Sequence, residues 1–283
     1  MIHLELTWEQ AAVAAGGMAV AAAGLRLAKR PRLAAVAVFT QESGLIFGLF
    51  ALWQYAGSFA LLGPAGALGR ARWIWQFERS VHLPSEAAIQ HPFLAHPLLI
   101  QFFNLYYDTL HFPVLLGCLA WLFIWHRDGY GRWRTTLVGF TGISLLIQLI
   151  PVAPPRMLAS AGMVDTAVRY HQSVYANVGG FDADQLSAMP SVHVGWALLV
   201  AAAIIATART RWRWLAVAYP IMTTLAVIVT ANHYWLDGIV AALVLLLVLA
   251  VQLLMRRLRR AWALRGARAG PAGAQPEAMA GHR

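Results

Sequence analysis

The chain has 283 residues, 59% of them apolar and only 12% charged, with a mean hydropathy of +0.58. That composition excludes an ordinary soluble domain and points to an all-α integral membrane protein. The formal charge of +10 is no sign of nucleic acid, because the cations cluster in short links between apolar runs instead of lining one soluble face.

A helix needs roughly 20 apolar residues to cross the hydrocarbon core. The first apolar stretch, Ala11 to Leu25, is short and rich in Ala and Gly, so it reads either as an extra span or as an interfacial helix. Glu5 and Glu9 deny it the cationic start of a secretory signal. Six stretches of spanning length follow, at about 44–62, 98–125, 135–152, 191–208, 214–231 and 235–255. The expected fold is a six-helix transmembrane bundle with room for an additional N-terminal helix. Residues 1–30 form the N-terminal segment and 31–260 the transmembrane domain, while 261–283, rich in Ala, Gly, Pro and Arg, read as a disordered basic tail from just beyond Ala263. The single cysteine, Cys118, lies in an apolar run, where it excludes an internal disulfide and reads as packing filler.

Counting Lys and Arg by link gives seventeen on one side (Arg26 to Arg32, Arg127 to Arg134, Arg209 to Arg213 and the tail) against five on the other, namely Arg70, Arg72, Arg79, Arg156 and Arg169. By the positive-inside rule the larger set, with the C-terminus, is cytoplasmic. The long links at 63–97 and 153–190 then face outward, as expected for a multi-pass plasma-membrane protein whose functional loops are extracytoplasmic. Arg70 to Glu78 mixes aromatics and cations as an interfacial helix does.

Two short strings on that outer side carry chemistry. His233 and Asp237 of Asn-His-Tyr-Trp-Leu-Asp237 are four apart, so on a helix the carboxylate can orient the imidazole and leave its second nitrogen as base or nucleophile. In Met189-Pro-Ser-Val-His193 the proline and Ser191 mark a helix start, and helix amino ends attract anions such as phosphate. Arg156, at the end of Pro151-Val-Ala-Pro-Pro-Arg156, can grip phosphate oxygens through two hydrogen bonds. Each piece has a plainer alternative: His193 as a packed histidine, His233 with Asp237 as an interhelical clasp, Arg156 as a snorkelling cation. Their convergence on one side of the membrane favours a shared site. Asp108 and His111 are ionisable groups inside an apolar segment, where substrate contact, packing and a helix break near Pro113 are all open readings. His82, His91 and His96 have no metal-ligand spacing, so no metal site is expected.

The order Arg, Pro-Ser-x-His, His-x-x-x-Asp resembles the type 2 phosphatidic acid phosphatase superfamily, whose motifs run KxxxxxxRP, PSGH and SRxxxxxHxxxD. Ala153-Pro-Pro-Arg156, Pro190-Ser-Val-His193, Asn232 to Asp237 and Asn104-Leu-Tyr-Tyr-Asp-Thr-Leu-His111 look like its inositol phosphorylceramide synthase-like branch, over about residues 70–255. The resemblance implies a metal-independent lipid phosphatase or phosphotransferase without cofactor. In it His233 attacks phosphorus to give a phosphohistidine, Asp237 orients it, and His193 protonates the leaving group. Arg156 and Ser191 hold the phosphate, with Tyr107 and His111 as candidate substrate contacts. The implied partners are a lipid phosphate or phospholipid and the membrane; no motif specifies headgroup, acceptor or oligomeric state. The pattern departs at Leu149 and Val227, which stand where the superfamily motifs have lysine and arginine, and at Val192, where they have glycine. Arg169, Tyr170 or His171 in the outer link is either a compensating group or part of a solvated loop. A proton-relay transporter and a catalytically inactive scaffold of the same fold are the competing readings.

Overall fold

The computed structural model describes residues 7–28, 30–57, 66–172 and 185–268, and every described element is a helix, turn or loop apart from one isolated bridge. Parts of the long links 63–97 and 153–190 and residues 269–283 of the expected tail lie outside the described residues.

The chain enters α1 (Trp8–Leu27) through a capping box: the Gln10 amide donates to Thr7 Oγ1 and the Thr7 amide to Gln10 Oε1. The resulting twenty residues are long and apolar enough to cross a bilayer, about 30 Å at the helical rise. The helix lies along α2 (Pro31–Gly57), where a Cβ at Gly44 would come within 3.0 Å of Met18 Cβ. On α2, Glu42 accepts from the Tyr130 hydroxyl at 2.8 Å and pairs with Arg134, tying the hairpin to α7 (Arg127–Gln148).

Four described helical segments meet the length and composition of a span: Trp8–Leu27, Arg32–Leu52, Arg211–Val229 and Trp235–Leu264. A fifth is broken, and this corrects the reading of 98–125 as one helix. It divides into α5 (Pro97–Thr109) and α6 (His111–Trp125), bent by 50° at Leu110. Pro113 is the physical cause, since it has no N–H for the Thr109 carbonyl and its ring crowds that carbonyl. The six-helix count is not reproduced as such. Helix α7 begins in a polar turn with Arg127, Asp128, Arg132 and Arg134, and α9 (Val192–Thr207) has sixteen residues, about 24 Å.

Leu115, Leu119 and Leu122 of α6, Phe140 of α7, Leu199 and Val200 of α9 and Leu245 of the final helix form the main core. Two shorter helices cover one end of the bundle. The first, α3 (Ala67–Ser80), is what Arg70 to Glu78 becomes: Ala67, Ala71, Ile74 and Glu78 face inward, while Trp73 and Phe77 stack outside with ring centroids 5.5 Å apart. The second, α4 (Glu86–Phe93), is capped by Ser85 and carries the fully buried Gln90. Gln90 donates to the Val164 and Val229 carbonyls at 2.7 and 2.9 Å, pinning the loop before the single turn α8 (Thr166–Arg169) onto α10 (Ala218–Val229). The last helix, α11 (Trp235–Arg268), continues past Ala263 into the stretch expected to be disordered.

Candidate active site

The histidines are placed by three chain breaks that meet between α5, α9 and α11. Between α10 and α11 the backbone turns through Ala231, whose φ of +57° is a left-handed conformation that favours glycine. The Asn232 and His233 amides both donate back to the Val227 carbonyl, closing the turn. Into this turn comes the 185–190 segment, held by a parallel bridge between Val152 and Ser187. That pairing sets the Ala188 carbonyl against the His233 ring, with 2.7 Å between Nδ1 and oxygen.

The tautomer of His233 follows from its partners. A carbonyl oxygen only accepts, so Nδ1 carries the hydrogen and shares it between Ala188 and Asp237 Oδ2, the latter at 3.3 Å. In the neutral ring that tautomer leaves Nε2 as the lone pair, buried and with no partner among the described residues. Asp237 is itself fixed, because Oδ2 also accepts from the Tyr234 amide at 2.8 Å and the side chain is fully buried. The sequence anticipated the carboxylate but not the Ala188 carbonyl, which comes from 45 residues away in the chain.

His193 stands in the first turn of α9. Ser191 caps that turn by accepting from the Val194 amide at 3.4 Å, and the Ser191 amide donates to the Asp237 carbonyl at 3.1 Å, joining the starts of α9 and α11. The His193 ring centroid lies 5.9 Å from that of His233, 4.9 Å from that of His111 and 4.3 Å from that of Tyr107. Tyr107 lies 6.4 Å from His233, so the break between α5 and α6 delivers both Tyr107 and His111 to the histidine pair. His111 Nδ1 meets the Tyr219 hydroxyl at 3.1 Å, and its Nε2 is buried with no partner among the described residues.

The Arg156 side chain is almost entirely buried. Its amide donates to the Ala231 carbonyl at 3.1 Å, and its guanidinium bonds the Asn232 side chain and reaches Asp165 at 3.5 Å. Asp108 also faces its charge. The guanidinium is thus anchored to the turn that carries His233.

The structure brings His233, Asp237, His193, Ser191, Tyr107 and His111 together, and fastens Arg156 to the same turn. It leaves Arg169 and His171 exposed, the former over the ring of Tyr170, which packs against the Ile100 and Phe103 cluster. Val227 is buried against Tyr107 and Ile228, so an apolar contact occupies the place of the superfamily's arginine. Among the described residues no group of three or more His, Cys, Asp or Glu is arranged to hold a metal ion.

Sequence reasoning missed Glu78 and Glu86. Both are buried, and Glu78 Oε1 accepts the Leu236 amide at 2.6 Å. The signal was present: Glu78 falls on the stripe of Ala67, Ala71 and Ile74, where an amphipathic helix is expected to place an apolar side chain. Burial first, then a hydrogen bond to Glu86 and its charge, push the Glu78 carboxyl up to about 9.

A family model described as the PAP2 superfamily matches residues 72–251. The chain therefore belongs to the PAP2 superfamily, a membership that points to phosphatase or phosphotransferase activity and to lipid phosphate substrates. No curated protein and no solved structure matches the chain closely enough to be counted as similar.

Proposed function

We propose that this chain is a lipid phosphatase or phosphotransferase that cleaves a phosphoester at the outer membrane face through a phosphohistidine, and that it belongs to the inositol phosphorylceramide synthase-like branch. The observation that carries this reading is the His233 ring: Nδ1–H is held by Ala188 and Asp237, which in the neutral ring leaves Nε2 as a buried, bare lone pair, with the His193 ring centroid 5.9 Å from that of His233. Orienting one nitrogen to free the other is the arrangement of an activated nucleophile.

In the first step the Nε2 lone pair attacks phosphorus. The N–P bond forms as the P–O bond to the leaving alcohol breaks, and His193 gives its proton to the departing oxygen. The phosphoimidazolium keeps its Nδ1–H on Ala188 and Asp237, whose carboxylate offsets the new positive charge. In the second step neutral His193 takes a proton from the acceptor hydroxyl, whose oxygen attacks phosphorus; the N–P bond breaks and its electron pair returns to Nε2. Water as acceptor releases phosphate, and an alcohol yields a new phosphoester. Arg156 and the Ser191-capped amino end of α9 hold the non-bridging oxygens. Tyr107 and His111 contact the substrate beside the phosphorus. The branch assignment is supported by Leu149 and Val227, which leave Arg156 to do what three cations do in the superfamily motifs. The outward orientation is supported by the division of Lys and Arg among the links.

The test is to incubate purified protein in a chelator with lipid phosphates and phosphoinositol donors, recording free phosphate and transferred headgroup. Wild type is expected to form one of these products, and His233→Ala or Asp237→Ala neither, with insertion unchanged. Undiminished turnover in either variant overturns the reading, as does abolition of wild-type activity by the chelator. The broken α5/α6 pair is a feature that a transporter would also use. Proton-driven uptake into proteoliposomes that survives His233→Ala would establish that reading instead.

A further inference from the structure

We propose that Glu78 is a positioning residue for the His233–Asp237 pair, acting as a neutral carboxylic acid that clamps the amino end of α11. This rests on the reading of His233 as nucleophile. Asp237 is the third residue of α11, so where that helix begins decides where the carboxylate sits against the His233 ring.

Two contacts from the 78–86 segment hold that beginning. The Leu236 amide, adjacent in sequence to Asp237, donates to Glu78 Oε1 at 2.6 Å. The Trp235 indole donates to the Pro84 carbonyl at 2.9 Å. The clamp is braced from behind by Arg79, which donates to Pro84 at 3.0 Å and to Glu86 Oε2 at 3.0 Å, and lies 3.8 Å from Glu78 Oε2. Both Glu78 Oε2 and Glu86 Oε1 are buried with no other partner among the described residues.

The charges require a proton between the two carboxyls. The groups facing Glu78 are Glu86 from α4, Asp237 from α11, Tyr234 from the turn before it, and Arg79 on its own helix. One cation, already bonded to Glu86, is set against three carboxyls. A proton on Glu78 lets Oε2–H donate to Glu86 while Oε1 still accepts from Leu236, satisfying both buried oxygens at once. Ionised Glu78 would lose the bond to Glu86 and repel both Glu86 and Asp237, forcing its side chain off the helix end. Glutamine reproduces the neutral acid: its carbonyl accepts from Leu236 and its amide donates to Glu86.

The experiment measures kcat and KM of wild type, Glu78→Gln, Glu78→Ala and His233→Ala from pH 6 to 10 in one detergent. Glu78→Ala is expected to lose about ten- to a hundredfold in kcat, the scale of a misplaced reacting group, with KM within about twofold because no substrate contact is removed. Glu78→Gln is expected to keep kcat within about threefold at pH 7. It should also lack the alkaline decline that wild type shows as Glu78 ionises near pH 9. If Glu78→Ala is unstable, the Glu78→Gln profile decides alone. An alkaline limb unchanged in Glu78→Gln, or a kcat unchanged in a folded Glu78→Ala, overturns the proposal while the histidine reading stands. Activity retained by His233→Ala overturns that reading itself.

Discussion

Gly195 tests whether the approach of α9 to α7 sets the catalytic geometry. A Cβ at this position would overlap Phe140, lying 2.6 Å from both Cε1 and Cε2 and closer still to Cζ. Ordinary carbon contact begins near 3.5 Å, so Gly195→Ala demands a displacement of more than about 1 Å, set by the Cζ contact. Phe140 cannot supply it, being fully buried among Leu137, Leu199 and their neighbours, so the amino end of α9 must move. His193 lies two residues before Gly195, in that same end. Overpacking of this kind costs about 1–3 kcal/mol in stability, and a 1 Å misplacement of a reacting group costs about a hundredfold in rate. Gly195→Ala is therefore expected to insert, to melt a few degrees lower, and to lose about a hundredfold in kcat. Phe140→Leu on that background removes the ring edge and should recover most of the activity. Turnover on the preferred donor, with thermal unfolding in detergent, measures both. A Gly195→Ala variant within about threefold of wild type, or a double variant no better than the single, would refute the idea that this contact positions His193.

Asp237→Asn is expected to lower kcat by about a hundredfold with little change in KM. That is well short of the roughly ten-thousandfold loss in a triad where asparagine imposes the wrong tautomer, because Ala188 still holds Nδ1–H; a loss of the larger size would show that the carbonyl does not fix the ring. Arg156→Lys keeps one charge but cannot bond Asn232, Asp165 and a phosphate together, so KM for the donor should rise about tenfold, or about 1.4 kcal/mol, and initial rates against donor concentration will report it. Folding stability should fall as pH rises from the ordinary carboxyl value towards about 9, because in that window folded Glu78 keeps its proton while the unfolded chain has lost it. Above the folded value the loss is complete and stability levels off. Thermal unfolding of Glu78→Gln should lack this decline, and an identical slope in both proteins would contradict a protonated Glu78.

Composition and local pattern carried far, for reasons that belong to the membrane. Apolar runs of spanning length must be helices there, since backbone groups find no water in hydrocarbon, so the all-helical class was legible. Lone ionisable residues within or beside such runs are costly, which is why His193, His233 and Asp237 stood out. Span limits were less legible: Pro113 divided one expected helix at Leu110, and α11 ran on through Arg268. Helix ends depend on neighbours as well as on local hydropathy.

The sequence by itself determined the class of protein, the family motifs and the pairing of His233 with Asp237, because each depends on composition or on residues close together in the chain. Only the tertiary structure decided what surrounds that pair. The Ala188 carbonyl fixes the His233 tautomer, the α5/α6 break brings Tyr107 and His111 to His193, and Glu78 reaches the start of α11 from 158 residues away. Backbone carbonyls are the same at every position and a buried carboxyl is named only by what it faces, so these roles come into being when separate segments pack together.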